Sequence, residues 1–168
     1  METFRVRRIR EVGKNIKELE EKLKVSIKTF QGKVIIEGSA QDEYDAEKIF
    51  EALDFGFSIK RALLLKQEDF VFRRIHIGEH TKRNLKDVQA RLIGTKGKTR
   101  RVISNLTECE MIIKEGEIGL IGQVEDVDSA EIALISIIKG SKQANMYKFL
   151  EKRNQKRKDD YVPDMINK

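Results

Sequence analysis

Gly94 and Gly97 enclose Thr95-Lys96 and are followed at once by Lys98. Glycine tolerates positive φ and lets a ligand approach the backbone closely. A helix beginning after such a loop offers unpaired N–H donors and the positive end of its dipole. Lys96 and Lys98 add point charges, and Arg91, Arg100 and Arg101 can meet phosphate as planar forks. That is chemistry for holding an anion, not for transforming one. Spacing alone is weak support, because eleven glycines in 168 residues give about one G-x-x-G by chance. Gly116/Gly119 and Gly119/Gly122 share the spacing but fall in an apolar segment and read as turn glycines. The Gly94 pair is set apart by charge: from His80 to Arg101, eight basic residues accompany a single acid, Asp87. A nucleotide P-loop is a poor match, since G-x-x-x-x-G-K-[ST] is absent and the loop follows a helical pattern rather than a strand.

Other chemistry finds little footing. His76 and His80 bracket Ile77-Gly78-Glu79 without a third histidine or nearby cysteine, so metal ligation is not expected. Cys109, the sole cysteine, excludes an internal disulfide and reads as a small buried apolar residue. The carboxylates form no recognisable acid/base pair. No enzyme activity and no cofactor are expected. Tyr147 and Tyr161 have rings that stack on bases, but core or interface packing is the preferred reading for Tyr147. The basic run Lys152–Lys158 reads as a solubilising helix end. No apolar run reaches the roughly 18 residues of a membrane span. The start METFRVRRIR has no signal-type apolar stretch, so a cytoplasmic location without membrane contact is expected.

The formal net charge is +6, and residues 70–168 hold all of it; residues 1–69 are neutral. The two parts also repeat. At an offset of 84 residues the chain aligns without gaps from Arg7/Arg91 to Leu63/Tyr147, pairing Gly13/Gly97, Gly32/Gly116, Gly38/Gly122 and Gly56/Gly140. Apolar positions follow the same offset: Leu19/Ile103, Val25/Cys109, Ile27/Met111, Val34/Ile118, Ile36/Leu120, Phe50/Leu134 and Leu53/Ile137.

In the second copy Phe70–Ile77 alternates as a strand and Asn84–Ile93 has helical spacing. The glycine loop interrupts the pattern, and Lys98–Leu106 resumes it as a second helix. Strands Glu110–Lys114 and Ile118–Gly122 then meet in a tight turn at Glu115-Gly116-Glu117. A long helix with Asp126 or Asp128 as its cap runs toward Gly140, and a further helix spans Lys142–Lys156. First-copy equivalents are helix Asn15–Leu23, strands Val25–Phe30 and Lys33–Glu37, and helix Asp42–Leu53. Its opening is short: either the first strand is missing, or Phe4–Ile9 serves as that strand and the helix–loop segment is shortened.

This order of elements around Arg91–Arg101 (RLIGTKGKTRR) resembles a type I KH domain, whose GxxG loop clamps the backbone of single-stranded nucleic acid beside an aliphatic groove. Together with the upstream KRNLKDVQA and the downstream MYKFLEKR, the segment is similar to the archaeal partner-of-Nob-one family of pre-ribosomal KH proteins. The resemblance implies binding of single-stranded RNA near the 3′ end of 16S rRNA during small-subunit maturation. It also implies the Nob endonuclease and the alpha subunit of initiation factor 2 as partners. Carried onto this chain, the clamp is Gly94, Thr95, Lys96 and Gly97, flanked by Arg91, Lys98, Arg100 and Arg101. Ile93, Met111 and Ile113 are groove candidates, with core packing the favoured alternative for Met111.

The expected fold is α+β: two tandem type I KH domains, each a three-stranded sheet with helices packed on one face. Residues 1–66 form a degenerate unit, since Arg10-Glu11-Val12-Gly13 lacks the first glycine; residues 67–158 form the unit with an intact loop, and 159–168 a flexible tail. The degenerate unit is expected to pack or to bind protein rather than RNA. The alternative for the whole chain is a protein-interaction scaffold in which RNA contact is secondary.

Overall fold

The 84-residue repeat is written in the backbone torsions of the computed structural model, which describes residues 1–161. Lys24 and Glu108 (φ 56° and 54°), Gln31 and Glu115 (φ 48° and 52°), Gly32 and Gly116 (φ 75° and 76°), and Gly56 and Gly140 (φ 123° and 113°) are left-handed in matched pairs. Each pair performs one local task. Lys24 and Glu108 close a helix, Gln31-Gly32 and Glu115-Gly116 turn a hairpin, and Gly56 and Gly140 follow the long helix. Two successive positive-φ residues match the right-handed twist of the strands they join, which accounts for the two-residue hairpins.

The first copy runs β1 (Glu2–Arg5), α1 (Ile9–Lys14), α2 (Ile16–Leu23), β2 (Ser26–Phe30), β3 (Lys33–Glu37), α3 (Ala40–Phe55) and α4 (Ile59–Ala62). The second runs β4 (Phe70–His76), α5 (Leu85–Ile93), α6 (Lys98–Thr107), β5 (Glu110–Lys114), β6 (Glu117–Gln123), α7 (Val124–Ile138) and α8 (Gln143–Asp160). The strand orders are β1-β3-β2 and β4-β6-β5, the same arrangement twice. β1 pairs antiparallel with β3, with Phe4 opposite Val34. The first copy thus keeps its leading strand, over Glu2–Arg5 rather than Phe4–Ile9, and shortens the helix–loop segment, Ile9 already opening α1. By contacts the described residues divide into two compact units, Met1–Arg73 with Gly119–Gln123, and Arg74–Ile118 with residues 124–161.

Each copy buries the positions that the repeat predicts. Leu19, Ile103, Val34, Ile118, Ile36, Leu120, Phe50, Leu134, Leu53 and Ile137 have no exposed surface. Val25/Cys109 and Ile27/Met111 are nearly as deep, so Met111 belongs to the core.

Three expectations give way. Asp126 does not cap α7, which leaves β6 directly; Asp126 is buried and accepts from Arg153 and Arg157. Its repeat partner Asp42 does sit at a capped helix start, where Ser39 Oγ accepts from the Asp42 N–H at 3.2 Å. Gly119 and Gly122 are not turn glycines but buried residues within β6. A Cβ on Gly119 would lie 2.5 Å from the Phe55 ring, the close approach that a mid-strand glycine permits. Finally, α8 runs on to Asp160, so Asp159 and Asp160 are helical, while residues 162–168 of the expected tail lie outside the described residues.

Candidate nucleic-acid interface

The loop is built from both sides. Asn84 caps α5 by accepting from the Asp87 N–H at 3.3 Å, and the Gly94 N–H closes the helix on the Ala90 carbonyl at 2.8 Å. Gly94 then leaves the helix at φ 76°, ψ 174°, a region essentially reserved for glycine. Lys96 (φ 52°) and Gly97 (φ 73°) are left-handed, and the Gly97 N–H returns to the Gly94 carbonyl at 3.1 Å. α6 starts at Lys98, so its first N–H groups follow the loop without an intervening linker.

The two glycines have different reasons to be glycine. A Cβ on Gly94 would lie 2.3 Å from Thr99 Oγ1 and 2.8 Å from the Thr99 nitrogen. Thr99 is buried, so Gly94 is needed to seat α6 against the end of α5. A Cβ on Gly97 would meet nothing nearer than Arg100 Nη2 at 3.8 Å. The space over Gly97 is open, as backbone approach by a ligand requires.

The expected site residues group around this turn. Thr95, Lys96, Lys98, Arg100 and Arg101 are exposed, and Ile93, Gly94 and Gly97 are half-buried. Beside the loop lies a depression of about 370 Å³ lined by Ala90, Arg91, Gly94, Thr95, Lys98, Thr99 and Gln143. Arg91 is already engaged: its Nη1 donates to the Ile137 carbonyl at 3.1 Å and its Nη2 to the Ser141 carbonyl at 3.0 Å. It therefore ties the end of α7 to α5 besides lining the depression. Ile113 is half-buried on β5. Sequence reasoning missed Gln89, whose Oε1 accepts from the Gly116 N–H at 3.1 Å while the Gly116 carbonyl accepts from the Ile77 N–H at 2.9 Å. The β5–β6 turn is thus pinned to α5. A lone glutamine gives no signal in sequence for such a role.

The first copy has no equivalent loop. Arg10–Gly13 lies inside α1, and none of those residues takes positive φ. Glu11 occupies the repeat position of Thr95. Its carboxylate accepts from Arg8 Nη1 at 2.9 Å and from the Ile59 N–H at 3.3 Å.

Among the described residues, no group of three or more His, Cys, Asp or Glu is arranged to hold a metal ion. His76 Nδ1 lies 3.1 Å from Glu117 Oε1, which Arg74 also contacts at 2.9 Å. Burial pushes the Cys109 thiol up to about 11, away from the nucleophilic thiolate. No helix among the described residues is long and apolar enough to cross a membrane.

A sheet in β4-β6-β5 order, two helices broken by a cationic glycine loop, and a helix closing the unit define a type I KH protein. Residues 70–155 match the family model described as a eukaryotic-type KH domain, type I. The KH domain-containing protein MJ0443 of Methanocaldococcus jannaschii is 30% identical over 147 residues, 83% of this chain and 63% of that protein. The chain belongs to the Pno1 family of KH proteins. The pre-rRNA-processing protein pno1 of Emericella nidulans is 28% identical over 115 residues, covering 63% of this chain and 43% of the relative. The matched region thus spans less than two thirds of the first of these curated relatives and less than half of the second. Dim2p of Pyrococcus horikoshii superposes with a TM-score of 0.78 at 25% identity, covering 90% of this chain and 98% of Dim2p. The same organism's a/eIF2alpha–aDim2p–rRNA complex contains a chain that superposes at 0.80 and 25% identity, with 92% and 94% coverage.

Proposed function

We propose that the chain is a non-enzymatic binder of single-stranded RNA that acts in small-subunit assembly, with Gly94–Gly97 gripping the RNA backbone near the 3′ end of 16S rRNA. The observation that carries this reading is the loop itself. Positive-φ backbone is held open at Gly97, at the N-terminus of α6, among the exposed cations Lys96, Lys98, Arg100 and Arg101. In the reading, phosphates meet those cations and the α6 N–H groups, while Ile93 and Ile113 line the side where bases lie. The relatives' names point to pre-rRNA, and a structural neighbour was solved with rRNA.

The division of labour is 1–66 as a unit without a clamp and 67–158 as the RNA-binding unit. Glu11 in place of Thr95 would repel phosphate, so the first unit serves packing or protein contacts. The alpha subunit of initiation factor 2, present in the neighbour's complex, and the Nob endonuclease are the proposed protein partners. A scaffold role with RNA contact secondary is the second reading, favoured by that same complex.

The test is Thr95→Asp combined with Lys96→Asp, titrated with single-stranded RNA. The expected result is at least a tenfold loss of affinity with an unchanged thermal transition, and binding by the wild type that weakens steeply with salt. Unchanged affinity would overturn the clamp. Salt-insensitive association with the protein partner, without RNA binding, would favour the scaffold.

A further inference from the structure

The basic end of α8 is more than a solubilising terminus. In the first copy the repeat position of α8 holds the four-residue α4 and one following 3-10 turn, Leu63–Lys66, so more than half of this helix is an addition to the second copy. Gln143, at its start, lines the depression beside the glycine loop, and Asn154 donates to the Leu106 carbonyl at 2.9 Å. α8 therefore accompanies α6 from one end to the other, a length of about 15 Å for a ten-residue helix.

At the far end lies a second depression of about 360 Å³, bordered by Asn105, Glu108, Arg153, Asn154, Arg157 and Lys158. Arg153 and Arg157 both donate to Oδ1 of the buried Asp126, each at 2.6 Å. Glu125 Oε2 lies 4.0 Å from Arg157 Nη2, and Lys158 adds a further cation at the rim, where Glu108 also sits. Asp126 itself thus faces two guanidinium groups. Asp126 holds Arg157 firmly protonated through this bond. Arg153 is left with Nε and Nη1 buried and without an acceptor among the described residues. Unmet donors on a buried cation are costly, and Arg157, with 45% of its side chain exposed, presents the planar guanidinium that phosphate oxygens can meet. Between the two depressions, Lys98, Arg101 and Asn105 are exposed at helical spacing along one stripe of α6.

We infer that the Arg153–Arg157–Lys158 pocket is a second phosphate site for the same RNA strand, reached along α6 from the glycine loop. This rests on the proposed clamp. Lys98 and Arg101 lead from the loop along α6, and Arg157 and Lys158 on α8 lie at its far end. Cations at both ends of a path of about 15 Å suit a polyanion laid along α6 better than a single carboxylate. Asp126 serves as the fixed counter-charge that orients both arginines.

The experiment uses the full chain with labelled single-stranded RNAs of four and ten nucleotides. Lys158 is exposed and makes no bond to Asp126, so Lys158→Glu leaves the cluster intact. Its expected effect is a three- to tenfold loss of affinity for the ten-mer and no change for the four-mer. The salt slope for the ten-mer falls by about 0.7 for each phosphate that is no longer neutralised. The Arg153 Nε–H resonance shifts with the ten-mer and stays in place with the four-mer. Unchanged ten-mer affinity in Lys158→Glu would overturn the site, as would a still Arg153 resonance or one that answers only to an Asp-rich peptide. Failure of the clamp itself shows differently: Thr95→Asp/Lys96→Asp would then bind the four-mer as the wild type does.

Discussion

Gly94→Ala and Gly97→Ala separate a glycine required by the fold from one required by the proposed clamp. At Gly94 the torsions (φ 76°, ψ 174°) lie where a side chain costs about 1–3 kcal/mol. The added Cβ also falls 2.3 Å from Thr99 Oγ1 and 2.8 Å from the Thr99 nitrogen. The hydroxyl can rotate away, but the backbone nitrogen must move with the start of α6, adding about 1–3 kcal/mol of overpacking. The sum, about 4 kcal/mol, lowers Tm by about 10 °C for a chain of this size. At Gly97 the torsions (φ 73°, ψ 17°) are ordinary left-handed helix and the space is open. The strain there is about 1 kcal/mol, or about 3 °C. Calorimetry, with amide exchange across α5 and α6 to localise the effect, measures both. RNA affinity is then compared at a temperature where both variants are folded. Gly97→Ala loses affinity although nearly as stable as wild type, because its methyl occupies the space a phosphate would use. Adding Thr99→Ala to Gly94→Ala returns only the hydroxyl's part of the loss. Equal stability losses at the two glycines would refute the reasoning, as would a Gly94→Ala protein as stable as wild type.

Arg91→Lys is expected to lose about 2 kcal/mol of stability, because one ammonium cannot reproduce a fork reaching both the Ile137 and Ser141 carbonyls; wild-type urea unfolding would count against that tie. Cys109 gives a pH test. Its thiol is raised from 9.0 to about 11 in the folded chain, chiefly by desolvation, so the neutral form is favoured on folding. That contribution is complete below pH 9 and is lost as pH rises to 11, by about 2 kcal/mol. Cys109→Val, which installs the repeat partner's residue, flattens that part of the alkaline decline. Identical pH profiles for the two proteins would show that the thiol is not desolvated.

What can be read without coordinates is local or periodic. Apolar spacing marks the helices and strands, Gln31-Gly32 and Glu115-Gly116 mark the hairpins, and the offset of 84 marks the duplication. The glycine loop is also legible, because Gly94, Gly97 and their cations are neighbours along the chain. Contacts between distant residues carry no such signal. Only tertiary structure turned Asp126 from a helix cap into the buried partner of Arg153 and Arg157, tied Arg91 to carbonyls at the end of α7, and set Gly119 against the Phe55 ring. It also distinguished Gly94, pressed on Thr99, from Gly97, where a Cβ would meet nothing nearer than 3.8 Å. Composition and spacing determine which segments form and where cations gather. Packing between segments decides which of those cations are spent on the fold and which stay exposed, because that depends on what lies within a few ångströms in space rather than along the chain.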